Sequence, residues 1–351
     1  MSRLQTLFRP ELISLQPYRA AEYAAGHLRL NANETPWRPT GDTSMAGLNR
    51  YPEVRPATLT ARLAAHYRVA NERLLVTRGS SEGIELLIRA TCRTGLDDIL
   101  ICPPTFGMYS AYAQVQGAGI VEVPLKRDQG FALDLPAIEI AWRERCKLLF
   151  LCSPNNPTGN SIPAAQIGEL CEWLDGRGLV IVDEAYQEFA TSDSSSELLD
   201  RYPNLVVLRT LSKALGLAGV RCGATLADPA VIDMLSRVLP PYSLSTPCTD
   251  AVLAALDEAA ARQSDIDNLV AERERVAEAL AANPRIEKVW PSDANFLLVQ
   301  AGDAGKLVSD ARQAGVLIRD FSQNPYTPGC VRITISTQDE NNRLLEAIAG
   351  L

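Results

Sequence analysis

Seven short apolar runs, spread over residues 73–228 and separated by longer stretches of helical period, constrain this chain more than any other feature. They read RLLVTRG (73–79), DILICPP (98–104), GIVEVPL (119–125), KLLFLCSP (147–154), GLVIVDEA (178–185), NLVVLRT (204–210) and RCGATLAD (221–228). Runs of four to eight apolar or β-branched residues alternating with helical pattern are the signature of βαβ units, and therefore of a largely parallel sheet. Several runs lack polar alternation, as strands covered on both faces do. Helices are expected over 81–93, 106–116 and 163–176, the last opened by a Pro and closed by a Gly, each on the side where a helix tolerates it.

After Pro247 the rhythm changes. A long helical stretch reaches about Asn283, and the short runs EKVW, NFLLVQ, GVLIRD and VRITIST follow with helices between them. A length of 351 residues favours about two domains. The expected division is an N-terminal segment, 1–50, packing on the smaller domain; a large α/β domain, 51–246; and an interdomain helix with a small α+β C-terminal domain, 247–351.

Composition narrows the function by exclusion. The net charge of −8 is spread without a basic block, so no nucleic-acid partner is expected. The N-terminus, MSRLQTLFRPELI, lacks a sustained apolar stretch, so neither a signal peptide nor a membrane span is expected, and the cytoplasm is the expected compartment. The eight cysteines form no C-x-x-C pair and sit mainly in apolar runs, as reduced core residues do. With only two histidines, His27 and His66, and no motif around either, no metal site and no Ser/His/Asp triad is expected.

In open α/β sheets, ligands bind beyond the carboxyl ends of the strands. Four unusual segments fall there: Gly79-Ser80-Ser81-Glu82-Gly83, Ser153-Pro154-Asn155-Asn156-Pro157-Thr158-Gly159, Asp183-Glu184-Ala185-Tyr186 and Thr210-Leu211-Ser212-Lys213. Gly79-Ser80-Ser81 opens a helix, where free N–H groups and the dipole attract an anion. No G-x-G-x-x-G and no G-K-[ST] follows any of the strands, which argues against NAD and ATP. Asp183 ends an apolar strand, in a poorly solvated place where a carboxylate needs a cationic partner. Lys213 follows another buried strand, and a partly desolvated lysine gives up its proton readily and can form a Schiff base. Arg221 can return to the same rim as an anion fork. Together these are the parts a pyridoxal phosphate site requires.

These segments, with LNANETP (30–36), RYPE (50–53), CPPTFGMYSAYA (102–113), LRTLSKALGLAGVRCG (208–223), PYSLSTP (241–247) and CVRIT (330–334), carry a resemblance that spans nearly the whole chain. It resembles the fold-type-I aminotransferases, and within them the histidinol-phosphate aminotransferase family. The resemblance implies a large domain with a mostly parallel seven-stranded sheet, pyridoxal 5'-phosphate as cofactor, and reversible amino transfer between histidinol phosphate and 2-oxoglutarate in histidine biosynthesis. It implies that Lys213 binds the cofactor covalently and moves a proton at the substrate α-carbon, that Asp183 pairs with the pyridinium nitrogen, and that Asn156 and Tyr186 hydrogen-bond the ring hydroxyl. Tyr109 would stack on the ring. Ser80, Ser81, Ser212 and Arg221 would hold the phosphate, with Tyr51 from the neighbouring subunit of a homodimer. Tyr18, Asn33, Arg319 and Arg332 would contact the substrate, histidinol phosphate in one half-reaction and glutamate in the other. Ser81 and Phe106 stand where such proteins often carry an acid and a tyrosine. The rivals on the same fold are an aromatic-amino-acid aminotransferase and a threonine-phosphate decarboxylase.

Overall fold

The computed structural model describes residues 3–18, 20–22, 26–44 and 46–349. The described residues build two sheets flanked by helices. In chain order the first part holds α1 (Pro10–Ile13), α2 (Ala57–Tyr67), β1 (Leu74–Thr77), α3 (Ser80–Thr91), β2 (Asp98–Ile101), α4 (Met108–Gln116), β3 (Gly119–Glu122), α5 (Leu135–Ala141), β4 (Cys146–Cys152), α6 (Ala164–Trp173), β5 (Leu179–Asp183), β6 (Leu205–Thr210), β7 (Gly223–Ala227) and α7 (Pro229–Val238). Two helices, α8 (Thr246–Asp257) and α9 (Ala259–Ala281), lead to β8 (Ile286–Val289), β9 (Phe296–Ala301), α10 (Ala304–Gln313), β10 (Arg319–Asp320), β11 (Cys330–Thr334) and α11 (Gln338–Ala349).

The larger sheet has the order β1-β7-β6-β5-β4-β2-β3. Strands β3, β2, β4, β5 and β6 pair in parallel, and β7 runs antiparallel to both β6 and β1. The expected mostly parallel seven-stranded sheet is therefore present. Its central strands are mainly apolar because both faces are covered: Leu149, Leu151, Val180, Val182 and Val207 belong to one core, while Leu148, Phe150, Ile181 and Leu208 belong to the other. Successive side chains of a strand point to opposite faces, so one continuous run feeds two cores. The smaller sheet, β10-β11-β9-β8, is antiparallel and packs Leu297, Val299 and Ile333 with residues of α9, α10 and α11.

Because β7 is the one reversed strand, its beginning returns to the rim where β1 and β6 end. Gly223 pairs with Thr77 on one side and Thr210 on the other. A Cβ on Gly223 would meet the Arg209 carbonyl oxygen at 2.5 Å and the backbone of Gly79 at 2.8 Å, so only glycine fits.

The N-terminal segment departs from expectation. Leu7, Phe8 and Leu12 are buried in the core that α3 and α7 share with the larger sheet, not on the smaller domain. The Arg9 amide donates to the Ala90 carbonyl at 3.0 Å, and Arg237 Nη1 donates to the Leu12 carbonyl at 2.9 Å. The cause is apolar complementarity with α7, whose arginine then satisfies the carbonyls at the end of α1. All eight cysteines are buried and free. Among the described residues no helix is long and apolar enough to cross a membrane.

Candidate active site

A cavity of about 660 Å³ opens at the carboxyl-end rim of the larger sheet and is closed on one side by the smaller sheet. Ser80, Ser81, Asn156, Asp183, Tyr186, Ser212, Lys213, Arg221, Arg319 and Arg332 all line it. Four strand ends, from β1, β4, β5 and β6, thus converge as their sequence segments suggest.

At one end stands an anion cradle. Gly79 is held at φ 74°, and a Cβ there would meet Arg221 Nη2 at 2.7 Å. The missing side chain lets the guanidinium lie against the first turn of α3, beside Ser80 and Ser81. Arg221 is itself in the left-handed region at φ 60°, and its Nη1 donates to Ser212 Oγ at 3.0 Å. Helix N–H groups, two serine hydroxyls and a guanidinium on one small surface suit a phosphate.

At the other end Asp183 closes β5. It is 1% exposed, and burial, the largest influence, pushes its carboxyl up to about 6. Tyr109 and the nearby Ala185 amide oppose that rise. Its Oδ2 accepts from Tyr109 Oη at 3.0 Å. Its Oδ1 is buried and has no hydrogen-bond partner among the described residues. A buried, half-satisfied carboxylate is costly, and a cationic N–H donor entering from the cavity would complete it.

Between these ends lies Lys213, exposed on the open cavity, with Nζ 5.5 Å from the centre of the Tyr186 ring. Its amine is held below the usual lysine range, first by desolvation and then by the charges of Arg332 and Arg221, with Asp183 opposing. A larger share of neutral amine makes it a better nucleophile and base.

The smaller sheet contributes the cations. Arg319 and Arg332 are register partners across β10 and β11. Two rings, Phe296 and Phe321, lie near Arg332, their centres 5.2 and 5.5 Å from its guanidinium carbon. Its Nη1 donates to Asn156 Oδ1 at 2.5 Å, while Asn156 Nδ2 donates to Tyr186 Oη at 3.2 Å. Desolvation, its largest influence, lowers the Arg332 pKa, and its Nε is buried with no partner among the described residues.

Three of the expected residues, Tyr109, Tyr18 and Asn33, stand elsewhere, and Tyr51, expected at the neighbouring subunit's site, lies off this chain's own. Tyr109 is fully buried; its ring stacks on Phe150 at 4.9 Å, behind Asp183 rather than on the cavity wall. Phe106, three residues earlier and ahead of α4, lines the cavity in its place. Tyr18 and Tyr51 are 63% and 52% exposed, Asn33 is exposed with φ 56°, and none of the three reaches this chain's own cavity. Tyr51 instead packs its ring 4.8 Å from Tyr242. Phe321 and Asn324, which line the cavity, were not singled out from sequence. The signal available was their place just after LIRD, at the end of a strand.

Comparison with known proteins follows the same outline. The family model for aminotransferases of class I and II matches residues 27–348. A histidinol-phosphate aminotransferase of Xylella fastidiosa is 45% identical over 98% of this chain and 96% of its own. One from Pectobacterium carotovorum is 41% identical over 100% of this chain and 99% of its own. The crystal structure of histidinol-phosphate aminotransferase from Sinorhizobium meliloti in complex with pyridoxal-5'-phosphate superposes with a TM-score of 0.78 at 25% identity, covering 86% of this chain and 83% of that one.

Proposed function

The chain belongs to the class I and II aminotransferases, and on that footing we propose that it transfers an amino group reversibly between histidinol phosphate and 2-oxoglutarate, with pyridoxal 5'-phosphate as cofactor. The observation that carries the reading is the convergence, in one cavity, of a lysine with a depressed pKa, a buried carboxylate with an unpartnered oxygen, and an anion cradle. The residues fit the cofactor: Ser80, Ser81, Ser212 and Arg221 for its phosphate, Asp183 for its ring nitrogen, Asn156 and Tyr186 for its ring hydroxyl, and Lys213 for its aldehyde. Phe106 takes the ring-facing place first expected of Tyr109.

Bound there, pyridoxal phosphate supplies an electron sink for negative charge developing at the substrate α-carbon. This chain's residues do the rest. Lys213 would hold the cofactor at its aldehyde carbon, and its amine would move the proton at the substrate α-carbon. Asp183 keeps the ring nitrogen protonated. Arg332 and Arg319 receive the acidic end of either substrate, a phosphate in one half-reaction and a carboxylate in the other; adjacent planar guanidinium groups serve both.

The same reading makes the protein a cytoplasmic homodimer in which Tyr51 reaches the partner's cavity. Its exposure, and its place off the lining of this chain's own cavity, support that role. It divides the chain into a large domain, 51–246, and an interdomain helix with the small domain, 247–351.

The test is a visible spectrum of the purified protein. A yellow lysine-bound absorption that bleaches with histidinol phosphate and returns with 2-oxoglutarate is expected. Bleaching by an aromatic amino acid but not by histidinol phosphate would overturn the substrate, and carbon dioxide release from threonine phosphate would identify a decarboxylase.

A further inference from the structure

Asp183 has two oxygens in different circumstances, and one aromatic residue makes the difference. Oδ1 has no partner among the described residues. Oδ2 is held at 3.0 Å by the Tyr109 hydroxyl. Tyr109 is rigidly placed: it is fully buried, stacked on Phe150 with an interplanar angle of 14°, and met edge-on by Phe106 at 5.7 Å. Burial and the neighbouring Asp183 charge hold its phenol well above the usual tyrosine range, so it remains protonated and donates.

We propose that Tyr109 is a positioning residue for the reaction: its phenol pins Asp183 Oδ2 and keeps the carboxylate ionised, so that Oδ1 is left for the ring nitrogen of the cofactor. This rests on the cofactor reading above. The alternative means of keeping the carboxylate charged are few. The groups facing Asp183 are Tyr109 from α4, Cys152 at the end of β4, the Ala185 amide with Glu184 and Tyr186 beyond β5, and Lys213 after β6; after Tyr109 the Ala185 amide favours the charged form most. Burial raises the Cys152 thiol and the Tyr186 phenol, so both stay neutral. Glu184 disfavours the charged carboxylate, and Lys213 favours it less than Tyr109 does. One hydrogen bond from α4 thus does most among these side chains to oppose desolvation.

The experiment first uses the cofactor-free protein. The infrared carbonyl band of a protonated carboxyl, identified by its loss in Asp183→Asn, follows the titration of Asp183. In Tyr109→Phe, which keeps the ring, its midpoint should move up by about one to two pH units, as expected for losing a hydrogen bond to a charged group. An unchanged midpoint overturns the proposal. In the cofactor-loaded enzyme Tyr109→Phe should lower kcat by about 10- to 100-fold with KM little changed. Placed on Asp183→Asn, the same substitution should cost less than about 3-fold; an equal loss in both backgrounds would mark a packing role and sink the idea. Should Tyr109→Phe not fold, the wild-type chain grown with 3-fluorotyrosine, a more acidic phenol, should show the Asp183 midpoint displaced downward, and no displacement overturns the proposal. A wild-type protein without lysine-bound absorption would remove the cofactor reading, while the cofactor-free titration still decides the Tyr109–Asp183 relation.

Discussion

Arg332 of the smaller sheet donates to Asn156 at the rim of the larger one, Nη1 to Oδ1 at 2.5 Å. This bond crosses between the two sheets inside the cavity, and it places the guanidinium beside two aromatic rings, Phe296 and Phe321. Lysine would keep the charge but lose the planar fork and its contact with the rings. Arg332→Lys should therefore lower kcat/KM by about 10- to 100-fold, the worth of a charge-assisted hydrogen bond. Cofactor absorbance should be retained. Steady-state kinetics with both substrates, beside the visible spectrum, checks this.

Asp183 gives a pH-dependent stability with a definite sign. Burial raises its carboxyl above the usual carboxylate range, to about 6 in the folded protein, so the folded chain holds this proton more tightly than the unfolded one. Stability from this group is fully present below about pH 4, is lost as pH rises through about 6, and changes no further above that. In the cofactor-free protein Asp183→Asn should be more stable than wild type by about 2–3 kcal/mol at pH 8, with the difference fading near pH 4. Denaturant midpoints at both pH values measure it.

Behind the rim, Arg209 is buried against two acids, with Nη1 2.8 Å from Glu184 and Nη2 2.7 Å from Glu188, and its guanidinium carbon lies 4.9 Å from the centre of the Tyr67 ring. Arg209→Met leaves the fully buried Glu184 without its cation. The expected loss is about 3–5 kcal/mol, as for breaking a buried pair on one side. Thermal unfolding of the variant is the measurement.

Phe106 lines the cavity beside Asn156 and Asp183. Removing its ring in Phe106→Ala should weaken cofactor binding by about 3- to 10-fold, the range of an aromatic stacking contact. Equilibrium dialysis of the cofactor, with Phe106→Tyr as the variant that restores affinity, reads this out.

The larger sheet was legible because β4, β5 and β6 are apolar on both faces, a pattern that a surface strand does not produce. Strand ends were less so: β3 stops at Glu122, just short of Pro124, which cannot donate to a ladder, and β10 is only two residues long. The site segments were legible for the same reason as the strands, since each lies at the end of one. Phe106 and Tyr109 show where reading stopped. Three residues apart, both aromatic, they differ only in that α4 begins at Met108; this leaves Phe106 in the loop at the cavity and turns Tyr109 into the core. Likewise Leu7, Phe8 and Leu12 announce burial, but the sequence does not say against which layer.

The contact between Gly79 and Gly223 is made by backbone atoms alone. Its clearance is therefore set by covalent bond lengths and the strand register, quantities that side-chain repacking leaves untouched. Arg221 stands two residues before Gly223, and its guanidinium lies over Gly79 where a Cβ would meet it at 2.7 Å, so the floor of the anion cradle is main chain. Sequence drift elsewhere in the larger domain can retune its cores without changing the size of anion the cradle admits.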